Sequence, residues 1–197
     1  RAPHLKYLEQ PMILLQYPQD QNSLEIQNKI LELEYTAWPP DGPEETFPSA
    51  PETHTTSFLL LDPARAICHV GVRRSLLRHR GKRYLAYGLS EVVTHPAYRR
   101  MGLASRLIQK AKAFMMLEHA DLSIFTCAPE RISFYARLGW APLEGACFVG
   151  DAQEGALKSD SLGLCVMALF LSPHARANKG DFCHTELVFS LGEGQLW

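Results

Sequence analysis

One run of the chain concentrates residues suited to chemistry: Glu91-Val92-Val93-Thr94-His95-Pro96-Ala97-Tyr98-Arg99-Arg100-Met101-Gly102-Leu103-Ala104-Ser105. Its beginning reads as the end of a strand, Pro96 closes a loop, and small residues lead into a helix. The first turn of a helix leaves backbone N–H groups without intrahelical acceptors, at the positive end of the macrodipole. Gly102 and Ala104 place almost no side chain in front of those groups, and Arg99 and Arg100 add positive charge beside them. Such a turn suits a phosphate or a pyrophosphate.

Metal and thiol chemistry find less support. The five cysteines (Cys68, Cys127, Cys147, Cys165 and Cys183) are odd in number and form no C-x-x-C pair. They lie among apolar residues, which predicts buried free thiols in a reducing compartment and so a cytoplasmic location. The eight histidines lack ligand spacing. No metal site is expected.

Elements must position the motif. Apolar spacing predicts a strand over 12–17 and a helix capped by Asn22 or Ser23, with Ile26, Ile30 and Leu33 on one face. Residues 38–51, with five prolines and the acids Asp41, Glu44 and Glu45, read as a long loop. Strands are expected over 57–61, 66–77 and 84–93, the last two joined as a hairpin through the polar turn 78–82. A helix over 102–119 should present Leu103, Leu107, Ala111 and Phe114 or Met115. Further along come a strand over 122–127, a helix over 130–138 ended by Gly139, strands over 140–149 and 163–171, and a short strand over 186–191. The order gives a mixed α/β domain around one central sheet.

Composition narrows the classes of activity. The 197 residues hold 46% apolar and 21% charged residues, with a net charge of −1. That is too apolar for a disordered chain and too balanced for a typical nucleic-acid binder. The apolar run 162–171 is half the ~20 residues a membrane helix needs, and the N-terminal stretch does not read as a secretory signal. Neither nucleic acid nor membrane is an expected partner.

Arg99-x-x-Gly102-x-Ala104 resembles the Arg/Gln-x-x-Gly-x-Gly/Ala signature of the GNAT superfamily of N-acetyltransferases, and the preceding Thr94-His95-Pro96-x-Tyr98-Arg99 looks like that family's lead-in. Downstream, Ser133-Phe134-Tyr135-Ala136-Arg137-Leu138-Gly139-Trp140 resembles its Phe/Leu-Tyr-x-x-x-Gly-Phe/Trp segment. The likeness covers roughly residues 56–171 and implies a GNAT-like fold: a central, mostly antiparallel sheet with splayed central strands, flanked by helices. It organises the chain as one domain, with an acceptor-side helix and loop over 21–55, an acetyl-CoA-binding core over 56–171 and a C-terminal segment over 172–197. It also implies acetyl-CoA as donor. Arg99, Arg100, Met101, Gly102, Leu103, Ala104 and Ser105 would then cradle the pyrophosphate, and the strand edge at Val92, Val93 and Thr94 would bond the pantetheine arm. Tyr135 matches the tyrosine that protonates the departing thiolate, and Glu91 stands where the family places a base for the amine. The family's cofactor-binding Asn is replaced by Ala128, which leaves that contact to backbone.

A closer likeness concerns the acceptor. His69 through Gly81, Tyr87-Gly88 and the terminal Trp197 look like the aminoglycoside 2′-N-acetyltransferases, in which acidic loop residues and the terminal carboxylate hold a polycationic drug. The matching positions here are Asp41, Glu44 and Trp197, with Glu45 and Glu193 nearby. Several carboxylates around a cleft suit a polyamine. Gln195 and the Ser90-Glu91 pair depart from that subfamily's pattern, so a small-molecule amine is implied more firmly than an aminoglycoside. The alternatives are acetylation of protein lysine or N-terminal amines, and a catalytically silent CoA-binding sensor. Related acetyltransferases are often dimers, which makes a homodimer the expected assembly.

Overall fold

The computed structural model describes residues 11–40, 42, 47, 51–150 and 155–189. Its contacts fall into two compact units, Arg1–Val72 with Glu91–Ala111 and Arg73–Ser90 with Lys112–Trp197.

The first unit opens with β1 (Ile13–Pro18) and α1 (Leu24–Glu34). Ser23 caps α1, its Oγ accepting from the Ile26 N–H at 3.5 Å, while the Tyr17 hydroxyl accepts from the Ser23 N–H at 2.8 Å. The cap leaves Ile26, Ile30 and Leu33 on the inner face, as their spacing predicts. They pack with Tyr17, Leu59, Leu61, Ala66 and Val93. β2 (Thr56–Leu61) is buried along its whole length and runs antiparallel to both β1 and β3 (Ala66–His79). Asp62 makes the intervening turn, its Oδ1 accepting from the Ala64 and Arg65 N–H groups at 2.8 Å each. The unit also holds the end of β4 (Lys82–Thr94) and the start of α2 (Leu103–Leu117).

In the second unit, β3 and β4 form a hairpin. Its turn is tighter than the expected 78–82: Arg80 (φ 47°) and Gly81 (φ 74°) alone reverse the chain. Two successive left-handed residues match the right-handed twist of the flanking strands. The hairpin end is held to the distant chain, where Lys82 Nζ donates to Asn178 Oδ1 (2.6 Å) and Asp181 Oδ2 (2.9 Å). Next to it, Tyr84 is fully buried beneath His174 (ring centroids 4.9 Å apart) and Phe182 (5.2 Å).

β5 (Leu122–Cys127) pairs antiparallel with β8 (Cys165–Phe170), whose apolar run lies inside the sheet between β5 and β6 (Ala141–Pro142). The larger sheet has the order β1-β2-β3-β4-β5-β8-β6; β1 with β2, β2 with β3, β5 with β8 and β6 with β8 run antiparallel, and β4 runs parallel to β5. The expected mixed α/β architecture, a large mostly antiparallel sheet with helices, is therefore the one observed.

Two local readings need correction. The strand expected over 140–149 is broken into β6 and β7 (Cys147–Val149), because Pro142 has no N–H to extend a ladder and Gly145 turns through φ 63° beside His184. β7 leaves the main sheet and pairs in parallel with β9 (Glu186–Val188). The helix expected over 130–138 shrinks to a 3-10 turn at Pro129–Arg131 followed by α3 (Ile132–Ala136). A short α4 (Pro173–Ala177), capped by Ser172, was not expected. No helix among the described residues is long and apolar enough to cross a membrane.

Candidate active site

In the first unit, β4 runs on through Glu91, which adopts φ 45°. Positive φ is uncommon for a residue with a side chain, and inside a strand it turns the backbone locally. In the second unit, β4 pairs in parallel with β5 at Ala86–Leu122 and Tyr87–Ser123. Val92, Val93 and Thr94 follow Glu91 and complete β4. Cys68 Sγ lies 3.2 Å from Thr94 Oγ1, and burial pushes its thiol up to about 11, so it is inert as a nucleophile.

The loop after β4 is anchored. The His95 N–H donates to the Ile67 carbonyl at 2.9 Å, and a 3-10 turn covers Pro96–Tyr98. Buried Tyr98 donates its hydroxyl to Asp62 Oδ2 at 3.3 Å, tying the loop to the β2–β3 turn. This anchoring is the physical content of the His-Pro-x-Tyr lead-in. Burial, with Arg65 and Arg99 nearby, holds the His95 imidazole below its usual range and outweighs the opposing Asp62.

Beyond the anchor, Arg99 and Arg100 are exposed, and Arg99 Nε donates to the Thr94 carbonyl at 3.3 Å. Arg100 (φ 65°) and Gly102 (φ 75°) are both left-handed. A Cβ built on Gly102 would meet nothing within 4 Å, so the space in front of the turn is open. α2 begins at Leu103, and its first intrahelical bond is Arg106 N–H to the Gly102 carbonyl at 3.1 Å. The amides of Leu103, Ala104 and Ser105 precede it and have no intrahelical acceptor. Leu103, Leu107, Ile108, Ala111 and Met115 are buried and fix the helix in place; Met115, rather than Phe114, completes the inner face. Unpaired amides, an open approach and two exposed guanidinium groups fit the diphosphate of CoA.

A second constellation escapes sequence reasoning. Side-chain atoms of Glu34, His69 and Glu91 all lie within 4.8 Å of one another. His69 is fully buried; its Nε2 is 2.9 Å from Ser57 Oγ and its Nδ1 is 3.2 Å from Glu34 Oε1. The available signal was a histidine in the apolar stretch Ile67-Cys68-His69-Val70, a residue that needs a buried polar partner.

In the second unit, Tyr135 lies on α3 against Phe125 (ring centroids 4.8 Å apart) and Phe134 (5.0 Å). Burial, reinforced by the Cys127 thiol and opposed by Arg131, pushes its phenol up to about 12. Gly139 (φ 110°) ends the segment, and Trp140 Nε1 donates to Ser123 Oγ at 3.0 Å. Glu91 to Thr94 and Arg99 to Ser105 thus belong to the first unit and Tyr135 to the second. Asp41, Glu44, Glu45, Glu193 and Trp197 lie outside the described residues.

No curated protein matches the sequence. Among solved structures, a conserved protein of unknown function from Enterococcus faecalis V583, described as a probable N-acyltransferase, is 19% identical with a TM-score of 0.53, over 66% of this chain and 32% of that one. The chain therefore spans about a third of that protein's length. Escherichia coli ElaA is 12% identical with a TM-score of 0.59, over 80% of this chain and 99% of that one. An aminoglycoside 6′-N-acetyltransferase complexed with coenzyme A is 11% identical with a TM-score of 0.55, over 82% and 98%. At these identities the likeness is one of fold. A family model described as an acetyltransferase (GNAT) domain matches residues 25–143, which take in α1 beyond Leu24, Glu91, the Arg99–Ser105 turn and Tyr135; the chain belongs to the GNAT acetyltransferase domain family.

Proposed function

We propose that this protein is an acetyl-CoA-dependent N-acetyltransferase acting on a primary amine of a small cationic molecule, with aminoglycosides bearing a 2′-amine as the first acceptors to test. The observation that carries the reading is the left-handed Glu91 near the end of β4 followed by the open Arg99–Ser105 turn, inside a domain of this family. When bound, acetyl-CoA supplies an activated acetyl thioester and leaves as the thiol. The protein's part is to hold the diphosphate on the amides of 103–105 and the two guanidinium groups. The backbone of Val92, Val93 and Thr94 offers its edge to the pantetheine arm and polarises the acetyl carbonyl. The Glu91 carboxylate accepts the proton that the acceptor ammonium must lose before it attacks, and Tyr135 Oη donates to the departing sulfur.

Thiol release from acetyl-CoA, measured against a panel of aminoglycosides, polyamines and a lysine peptide, tests this reading. Turnover with the cationic small molecules supports it. Turnover with the peptide alone moves the acceptor to protein amines, and tight CoA binding with no turnover on any amine refutes the enzyme reading. Neutralising the turn checks the donor side. Arg99→Ala combined with Arg100→Gly raises the KM for acetyl-CoA by about tenfold, two exposed charge-assisted contacts being discounted for solvent, and leaves kcat unchanged. Glycine at 100 also relieves the left-handed strain there, so a loss reports charge and not backbone damage. An unaltered KM removes the arginines from the site.

A further inference from the structure

Two cysteines of the second unit face each other across the last rung of a ladder. β5 ends at Cys127, β8 begins at Cys165, and the antiparallel register sets the two directly opposite. Directly opposed side chains share a face, with Cβ atoms about 4.5–5.5 Å apart. Both thiols are free; Cys127 is buried and Cys165 half-buried. Elsewhere Cys68 stands opposite Leu60, and Cys147 opposite Glu186.

The kind of rung follows from its neighbour. The Leu143 N–H donates to the Val166 carbonyl at 2.9 Å, so Val166 turns its backbone groups to β6 and Cys165 turns its own to β5. Such a hydrogen-bonded rung holds its Cα atoms about 5.5 Å apart, inside the roughly 4.4–6.8 Å that a disulfide spans. The Cβ atoms must still close by about 1 Å to reach bridging distance. A terminal rung has that freedom: Ala128-Pro129 follows Cys127, and Gly163, at φ 68°, lies just before Cys165. A bridge closed against this resistance is readily reduced again.

The rung adjoins the Tyr135 segment. Phe125 lies on the same face of β5 as Cys127, and Tyr135 packs on Phe125 with ring centroids 4.8 Å apart. Cys127 also leads straight into the Pro129–Arg131 turn, where the Arg131 N–H donates to the Ala128 carbonyl at 2.9 Å, and on into α3. Burial, and after it the nearby Cys165, pushes the Cys127 thiol up to about 11.

We infer that Cys127 and Cys165 form a reversible oxidative modification site, bridged by a peroxide, and that the bridge slows turnover by drawing the Tyr135 segment off its place. The effect on turnover rests on the reading of Tyr135 as proton donor. Electrons and atoms balance. Cys165, the more exposed partner, loses its proton, and its sulfur attacks one peroxide oxygen. The O–O bond breaks, giving a sulfenic acid and one water. Cys127 Sγ then displaces the hydroxyl, the S–S bond forms, and the second water leaves with the Cys127 proton. The two thiols give up two electrons and the peroxide takes both. The raised Cys127 thiol is the weaker nucleophile, but across the rung its attack is intramolecular.

Peptide mapping of the wild-type protein after hydrogen peroxide and alkylation tests the site without any variant. The expected product is a single linked pair, Cys127 with Cys165, that dithiothreitol opens. After desalting, kcat for thiol release from acetyl-CoA should be lower by about tenfold or more, an ångström of misplacement being enough for such a loss, and should recover on reduction. Cys165→Ser should keep the untreated kcat and lose both the link and the response. A link between other cysteines, sulfinic acid at either residue without a link, or no reaction overturns the site. A mapped link with unchanged kcat overturns its effect on turnover. Tyr135→Phe keeps the readings apart: parental kcat in that variant sinks the donor assignment, whereas the mapped link needs no turnover and stands or falls alone.

Discussion

Tyr135→Phe lowers kcat by roughly 10²–10⁴-fold, the range for loss of a positioned proton donor, with little change in stability or in the KM for acetyl-CoA. The ring is what packs: Phe125 and Phe134 meet it edge-on at 4.8 and 5.0 Å, contacts that phenylalanine keeps. The hydroxyl is what the proposed chemistry uses. Because burial pushes the phenol up to about 12, Tyr135 carries its proton across the whole working range. An acid with a raised value ionises later, so Tyr135 causes no alkaline loss of activity between pH 7 and 10. The same value shapes the mechanism. Full transfer from such a phenol to an ordinary thiolate, near 8.5, is uphill, so in the proposed reaction Tyr135 acts first as a hydrogen-bond donor to the charge growing on sulfur. Thiol release over pH 7–10 in both proteins measures this. Equal kcat in the variant removes Tyr135 from the reaction.

Trp140→Ala costs about 3–5 kcal/mol, a large part of the 5–15 kcal/mol that holds a domain together. Trp140 is 2% exposed, stands against Phe125 at 5.9 Å, and carries Lys112 Nζ 5.7 Å from its ring centre. Its loss opens a cavity, strands the fully buried Ser123 hydroxyl and removes the ring beneath Lys112. At 2–4 °C per kcal/mol for a chain of this size, Tm falls by roughly 6–20 °C. Trp140→Phe keeps most of the volume and loses the indole N–H, so its cost is about 1–3 kcal/mol. Thermal melts of the two variants give the order; an alanine variant melting within two degrees of the parent, by about the error of such a scan, contradicts the packing described. The aromatic that closes the Tyr135 segment thus acts through stability, one turn from a residue assigned to chemistry.

Local features were the legible ones. A strand ending in a Pro-closed loop and a small-residue turn is written in consecutive residues, so Glu91 to Ser105 could be read in order, including which helix positions face inward. The left-handed backbone at Glu91 was not legible, because positive φ for a glutamate inside a strand does not follow from its own propensity. Glu34, His69 and Glu91 come from a helix end and two strands, with no common spacing, and only the register of β2 with β3 brings Ser57 and His69 within reach. The misread strand over 140–149 has the apolar content of a strand, but Pro142 and Gly145 outweigh it. Gly139 was read correctly as a helix end, although the helix it follows is a single turn.

The clasp of Lys82 on Asp181 has a consequence in time. The partners are 99 residues apart. At roughly 5–20 residues per second of synthesis, the hairpin tip leaves the ribosome about 5–20 s before Asp181 is made. For that interval Tyr84 has neither His174 nor Phe182 to cover it, although both shield it in the finished fold. The nascent chain therefore shows an aromatic surface that the mature protein never exposes, and a chaperone that grips such surfaces meets this hairpin early, before the chain that will bury it exists.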